Sequence, residues 1–196
     1  MTEKRNVVWH HSSVRREMRP HLGATLWFTG LPGSGKSTLA HAVEFELVRQ
    51  GRTAYVLDGD NLRHGINADL GFSAVARDEN VRRAAEVAAL MADAGIIVLV
   101  SLVSPYAAAR QRARELHEAR ELPFAEVYVA ITVEECAARD PKGLYARALR
   151  GEIKGMTGVD DPYEAPQSPE LSVRPGFQEG CRDEVLDLVA GLVPAA

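Results

Sequence analysis

A chain of 196 residues, 46% hydrophobic and 26% charged, is long enough to close one core of its own, and that composition excludes a disordered or fibrous chain. A formal net charge of −4 argues against duplex DNA or an anionic membrane as partner, while leaving room for a local basic pocket that takes a small anion. The two cysteines, Cys136 and Cys181, form no CxxC pair and match no metal-ligand spacing, so they read as two reduced thiols.

From the start of the chain, Met1–His10 is charged and lacks an apolar stretch of the kind a secretory leader needs. Ala24–Thr29 is a compact apolar run ending at Gly30, and it reads as a first strand. Leu39, Val43 and Leu47 then recur every four residues, with Gly51 as a helix stop. Thr53–Leu57 is a second strand, ending at Asp58-Gly59-Asp60. Val81, Ala84, Ala88 and Met91 repeat at helical spacing before Gly95. Ile96–Val100 is a third strand, and as the longest apolar run it falls far short of the roughly 20 residues that span a bilayer. A helix is predicted from Pro105 to about Glu118, a fourth strand over Ala125–Ile131, a short fifth over Leu171–Val173 and a closing helix over Asp183–Leu192. Near-continuous Val/Ile/Leu strands alternating with helices predict one α/β domain with a parallel sheet and right-handed crossovers, soluble and cytoplasmic. Ligands of such sheets sit at the carboxyl ends of the strands.

The segment Gly30-Leu31-Pro32-Gly33-Ser34-Gly35-Lys36-Ser37, followed by Thr38, fits G-x-x-x-x-G-K-[ST] and falls between a strand and a helix. Its glycines let backbone N–H groups face a phosphate, and the helix opening near Lys36 points its positive end there. Lys36 is expected to reach the β- and γ-phosphates, and the Ser37 hydroxyl to bind Mg²⁺. The strand Ile96–Val100 ends in Ser101 where a hydrolysing NTPase carries Asp, and no Asn-Lys-x-Asp motif occurs. A small-molecule kinase therefore fits better than a GTPase or motor.

Asp58-Gly59-Asp60-Asn61-Leu62-Arg63-His64 brings two carboxylates and an arginine to a strand end. They would orient an acceptor hydroxyl or the waters of a metal, or else form an N-cap and a solvated turn. Arg77, Arg82 and Arg83 flank Asn80, and an exposed helix face explains Arg82 and Arg83 as well as anion binding does. Between Arg139 and Lys154 stand five positive and two negative residues, a local +3 within an acidic chain. That segment reads either as a lid over phosphates or as a solvated helix pair, and the proline-rich stretch Asp160–Pro166 leads back to the body.

Taken together these residues resemble the adenylylsulfate kinase family, from Val8-Trp9-His10 to about Pro169. The resemblance is carried by Asp58–Asn67, Asp69–Ser73, Glu79–Arg83, Ser104-Pro105, Arg139–Tyr145, Gly151–Lys154, Thr157–Asp160 and Pro162–Pro166. It implies a three-layer fold of the P-loop nucleoside-triphosphate hydrolase type: five parallel strands flanked by helices, with residues 1–22 as an extension and about 139–168 as the lid. It implies Mg-ATP as donor, adenosine 5′-phosphosulfate as acceptor, a homodimer, and a functional link to a sulfate adenylyltransferase. Phe72 would stack on the acceptor adenine. Arg63, Arg77 and Asn80 would hold its phosphosulfate and ribose, and Lys142, Leu144, Lys154 and Thr157 would close over it. Asp60 would lie beside the acceptor hydroxyl and Mg²⁺. Ser104 matches a position described as an active-site phosphoserine in bacterial members, and an acceptor-binding or N-cap role stands beside that. Met156 replaces an aromatic that would complete a sandwich around the adenine, Pro32 replaces a frequent Ser, and Ala74-Val75-Ala76 replaces a commonly acidic stretch. The other readings are a P-loop kinase for a different small acceptor, such as a sugar or an antibiotic, and a catalytically silent nucleotide-binding regulator.

Overall fold

The computed structural model describes residues 8, 10, 12–176 and 178–194; the expected extension over residues 1–22 is therefore described only in part, and Met1–Val7, Trp9 and His11 lie outside the described residues. Strands β1 (Ala24–Thr29), β2 (Ala54–Asp58), β3 (Ile97–Ser101), β4 (Phe124–Val129) and β5 (Leu171–Val173) form one parallel sheet in the order β2-β3-β1-β4-β5. Helices α1 (Lys36–Arg49), α2 (Gly59–Arg63), α3 (Ala74–Asp93), α4 (Ala107–Glu118), α5 (Val133–Arg139), α6 (Leu144–Leu149) and α7 (Cys181–Leu192) fill the connections. Among the described residues no helix is long and apolar enough to cross a membrane.

Every residue of β1 is buried, because β1 is central and covered on both faces. Its side chains alternate between two cores. Leu26 and Phe28, with Leu99, Val127 and Val129, pack under Leu39, Val43 and Leu47 of α1 and Val185 and Val189 of α7. Trp27, Val98 and Val100 pack on the opposite side. There they meet Ala84, Ala85, Ala88 and Ala92 of α3 and Ala109 and Ala113 of α4. Small residues on α3 and α4 allow close approach to the sheet.

The predicted strands are all present: β1 and β5 have the predicted bounds, and the ends of the other three shift. β2 and β3 each end one residue later than expected, since the ladder continues through the pair Asp58–Ser101 after the apolar side chains stop. α4 begins at Ala107 rather than Pro105. Ser104 has φ 40°, so the chain turns before it can helix. The closing helix starts at Cys181, behind a left-handed Gly180. The carboxyl ends of β1, β2 and β3 open together into one cleft.

Candidate active site

The loop after β1 is built from backbone. At Gly30 a Cβ would lie 2.8 Å from the Val129 carbonyl oxygen, so only glycine lets the chain pass β4. Gly35, with φ 98°, is the left-handed cap from which α1 starts. Lys36 folds back over this loop: its Nζ donates to the Gly30 carbonyl at 3.0 Å, the Leu31 carbonyl at 2.8 Å and the Ser34 hydroxyl at 3.3 Å. Burial pulls its pKa down to about 8, against the opposing pull of nearby Asp58 and Asp60.

The Ser37 hydroxyl donates to Asp58 Oδ2 at 2.6 Å and lies 3.2 Å from the Ser101 hydroxyl. Three oxygens, one from the first turn of α1 and two from the ends of β2 and β3, thus meet beside the phosphate loop. The carboxylate partner of Ser37 is Asp58. Asp58 does double duty, because its other oxygen caps α2 through the Asp60 N–H. Asp60 is exposed at the cleft and forms an ion pair with Lys142. A hard divalent cation suits this oxygen set, taking its remaining ligands from phosphate and water. Among the described residues no group of three His, Cys, Asp or Glu side chains offers a protein-only metal site.

On the other side of the cleft, Phe72 is 63% exposed just ahead of α3, whose N-cap is Ser73. The Arg63 guanidinium lies 4.3 Å from its ring centre and that of Arg77 5.8 Å. Both arginines are oriented by carbonyls. Arg63 donates to Leu70 and Gly71, and Arg77 to Phe72 at 2.9 Å and Gly155 at 2.6 Å. Asn80 is buried at the cleft wall, where its Oδ1 accepts from Asn67 Nδ2 at 3.0 Å and its amide N–H₂ is left for other work. Arg82 and Arg83 belong elsewhere. Arg82 pairs with Glu79 on its own helix, while Arg83 pairs with Glu79 and Asp69 and donates to the Ile66 carbonyl, which makes it scaffold for the 66–69 turn.

The basic segment starts on the last residue of α5 and runs through α6 and the following turn, so it holds one whole helix rather than a pair. It also borders the cleft: Lys142, Leu144, Arg147, Lys154, Met156 and Thr157 line it. α6 is anchored from beneath. Tyr145 is buried, its hydroxyl donates to the Pro32 carbonyl at 2.9 Å, and burial raises its pKa. The Asp140 carboxylate accepts from the Tyr145 and Ala146 N–H groups and so starts the helix. Met156 is only 6% exposed and joins the core around Leu31, with an edge on the cleft. The Thr157 hydroxyl is buried with no hydrogen-bond partner.

Ser104 is buried and is no helix cap, since Tyr106 holds the N-cap position of α4. Its hydroxyl accepts from the Trp27 indole N–H at 3.0 Å. The cleft, of about 640 Å³, therefore gathers Pro32, Gly33, Lys36, Ser37, Asp60, Arg63, Phe72, Arg77, Asn80, Ser104 and the six segment residues above. Gly30, Leu31, Ser34, Gly35 and Thr38 do not line it; they shape the loop from behind. Asp58, Ser101 and Tyr145 were missed as site residues. Asp58 was visible as one of two acids at a strand end, but spacing alone does not say which of them turns inward.

The family model described as adenylylsulphate kinase matches residues 22–174. A bifunctional enzyme NodQ of Rhizobium sp. (strain N33) is 60% identical over 173 residues, covering 86% of this chain and 26% of that protein. The chain thus spans about a quarter of that relative's length. An adenylyl-sulfate kinase of Prochlorococcus marinus is 50% identical over 187 residues, covering 92% of each. Among solved structures, the Mycobacterium tuberculosis APS kinase CysC in complex with AMPPNP and APS superposes with a TM-score of 0.84 at 51% identity. That match covers 87% of this chain and 99% of that one.

Proposed function

The chain belongs to the adenylylsulphate kinase family, and on that premise we propose that it transfers the γ-phosphoryl group of ATP to the 3′-hydroxyl of adenosine 5′-phosphosulfate. The observation that carries this reading is the joining of two subsites in one cleft: a phosphate loop with Lys36, and an exposed ring flanked by two arginines. An aromatic face with adjacent guanidinium groups suits a nucleotide bearing anionic groups, and a neutral sugar has no use for it. The solved relative bound to AMPPNP and APS supports the same pair of ligands.

In this reading Lys36 exchanges its loop carbonyls for phosphate oxygens and neutralises charge on the group in flight. A magnesium ion held through Ser37 and Asp58, with Ser101 beside them, would neutralise phosphate charge. Phe72 stacks on the acceptor base, while Arg63, Arg77 and Asn80 fix its anionic arm and ribose, so that the hydroxyl lies in line with the donor. Asp60 accepts the acceptor proton or orients it, once Lys142 turns from it toward phosphate. Residues 139–168 act as the lid, swinging about the Tyr145 anchor and excluding water. Ser104 serves as a wall residue, with direct transfer and no phosphoserine. The protein works as a homodimer beside the enzyme class that makes adenylylsulfate.

A coupled ADP-release assay tests the assignment. Turnover with ATP and adenylylsulfate is expected, and turnover only with a different acceptor would sink it. Ser104→Ala is expected to keep kcat within about threefold, whereas an obligatory phosphoserine would abolish turnover.

A further inference from the structure

We infer that Arg110, which is not among the residues lining the cleft, is a positioning residue that holds two of its walls in register. The role rests on the acceptor reading above. Arg110 is 4% exposed, and its guanidinium reaches three separate segments. Nε donates to Glu126 Oε1 on β4 at 2.6 Å, Nη1 to the Ser104 carbonyl at 2.7 Å, and Nη2 to the Glu164 carbonyl at 2.7 Å. Only a planar fork of donors spans those directions at once.

What it holds is strained and adjacent to the chemistry. Ser104 has a left-handed backbone, which L side chains rarely adopt, so its conformation needs support from its surroundings. That support comes from Arg110 on its carbonyl, the Trp27 indole on its hydroxyl, and the Thr29 hydroxyl on the Val103 carbonyl at 2.8 Å. The Glu164 segment is stitched to the same turn. Its N–H donates to the Pro105 carbonyl at 2.8 Å, its carboxylate accepts from the Ala107 N–H at 2.7 Å, and the Tyr106 hydroxyl reaches Asp161. Asp161 in turn bonds back to Met156 and Gly158. The wall at Ser104-Pro105 and the wall at Gly155–Thr157 are thereby one unit, with Arg110 at the junction.

A buried ion pair with Glu126 for stability alone is the rival account, and two variants separate them. In Arg110→Lys the ammonium keeps its charge beside Glu126 but cannot span both carbonyls. We expect KM for adenylylsulfate to rise about tenfold, with KM for ATP within twofold. In Glu126→Gln the fork keeps both carbonyls and a neutral acceptor. We expect a lower Tm with both KM values within twofold. An assay-independent readout is the ¹⁵N-labelled Trp27 indole resonance, assigned against Trp9 with Trp9→Phe. It should move in Arg110→Lys and stay in Glu126→Gln. Any other pattern, including KM values for both substrates rising in step with lost Tm, overturns the proposal. A wild-type chain that does not turn over adenylylsulfate defeats the functional reading, and the indole resonance then still decides the role of Arg110.

Discussion

The two halves of the cleft are made in different ways. The donor half is a contiguous loop whose parts are backbone N–H groups, glycines and one lysine held under the main chain. The acceptor half is made of long side chains, Arg63, Phe72, Arg77 and Lys142, brought from separate segments and held by carbonyls and exposed ion pairs. The first is rigid because its geometry is covalently local. The second is adjustable because exposed pairs such as Lys142–Asp60 contribute little and exchange partners readily. In the proposed reaction the fixed half would grip the triphosphate and the adjustable half would close on the acceptor.

The largest expected effect sharpens the donor side. Lys36→Ala should lower kcat by about 10³-fold, because a charge aimed at the transferred group is gone. Its Tm should hold or rise, since a buried charge that burial disfavours has been removed. A variant that unfolds instead would show that the lysine is structural.

Next comes the metal side. Asp58→Asn should cost about 10²-fold in kcat at fixed Mg²⁺ and recover partly as Mg²⁺ is raised, while Asp60→Asn should cost about tenfold with no such recovery. Equal Mg²⁺ dependence in the two would contradict the pairing of Ser37 with Asp58.

The pH profile follows. Lys36 in the free protein loses its proton near pH 8, so kcat/KM for ATP should fall about tenfold per unit above that value. Stability moves the opposite way. The unfolded lysine holds its proton up to about pH 10.5, so between pH 8 and 10.5 the unfolded state binds more protons and this group makes the fold more stable as pH rises. In Lys36→Met both trends should vanish from the rate and Tm profiles.

The smallest effect tests the acceptor side. Phe72→Ala should raise KM for adenylylsulfate about tenfold and leave ATP alone, the loss of one base stack. Comparable damage to both substrates would mean that the halves are not independent.

Much of the donor half was legible because its residues are neighbours in sequence and its motif follows from loop geometry. The central strands β1 and β3 were legible as well, since burial on both faces writes itself as unbroken apolar runs, whereas the edge strand β5, Leu-Ser-Val with an exposed middle residue, left only a short signal. What sequence could not reveal are contacts that close over long separations: Ser37 to Asp58, Tyr145 to Pro32, Arg110 to Glu164. Arg82 and Arg83 read as an exposed helix face as readily as an anion site, and their partners Glu79 and Asp69 settle them as scaffold. Met156 carries the same lesson, because a substitution in a binding motif turns out to sit mostly in the core.

The register of β1 has a consequence for how the chain reaches this state. Ala24 pairs with Ile97 and Thr25 with Phe124, so β1 is covered only after loops of about 70 and about 100 residues have closed. The apolar run that carries the phosphate loop therefore precedes both of its partner strands in the chain and stays unsheltered until they arrive. Folding should be slow, and partly folded chains should aggregate through β1, an exposure that nucleotide binding to the finished fold does nothing to shorten.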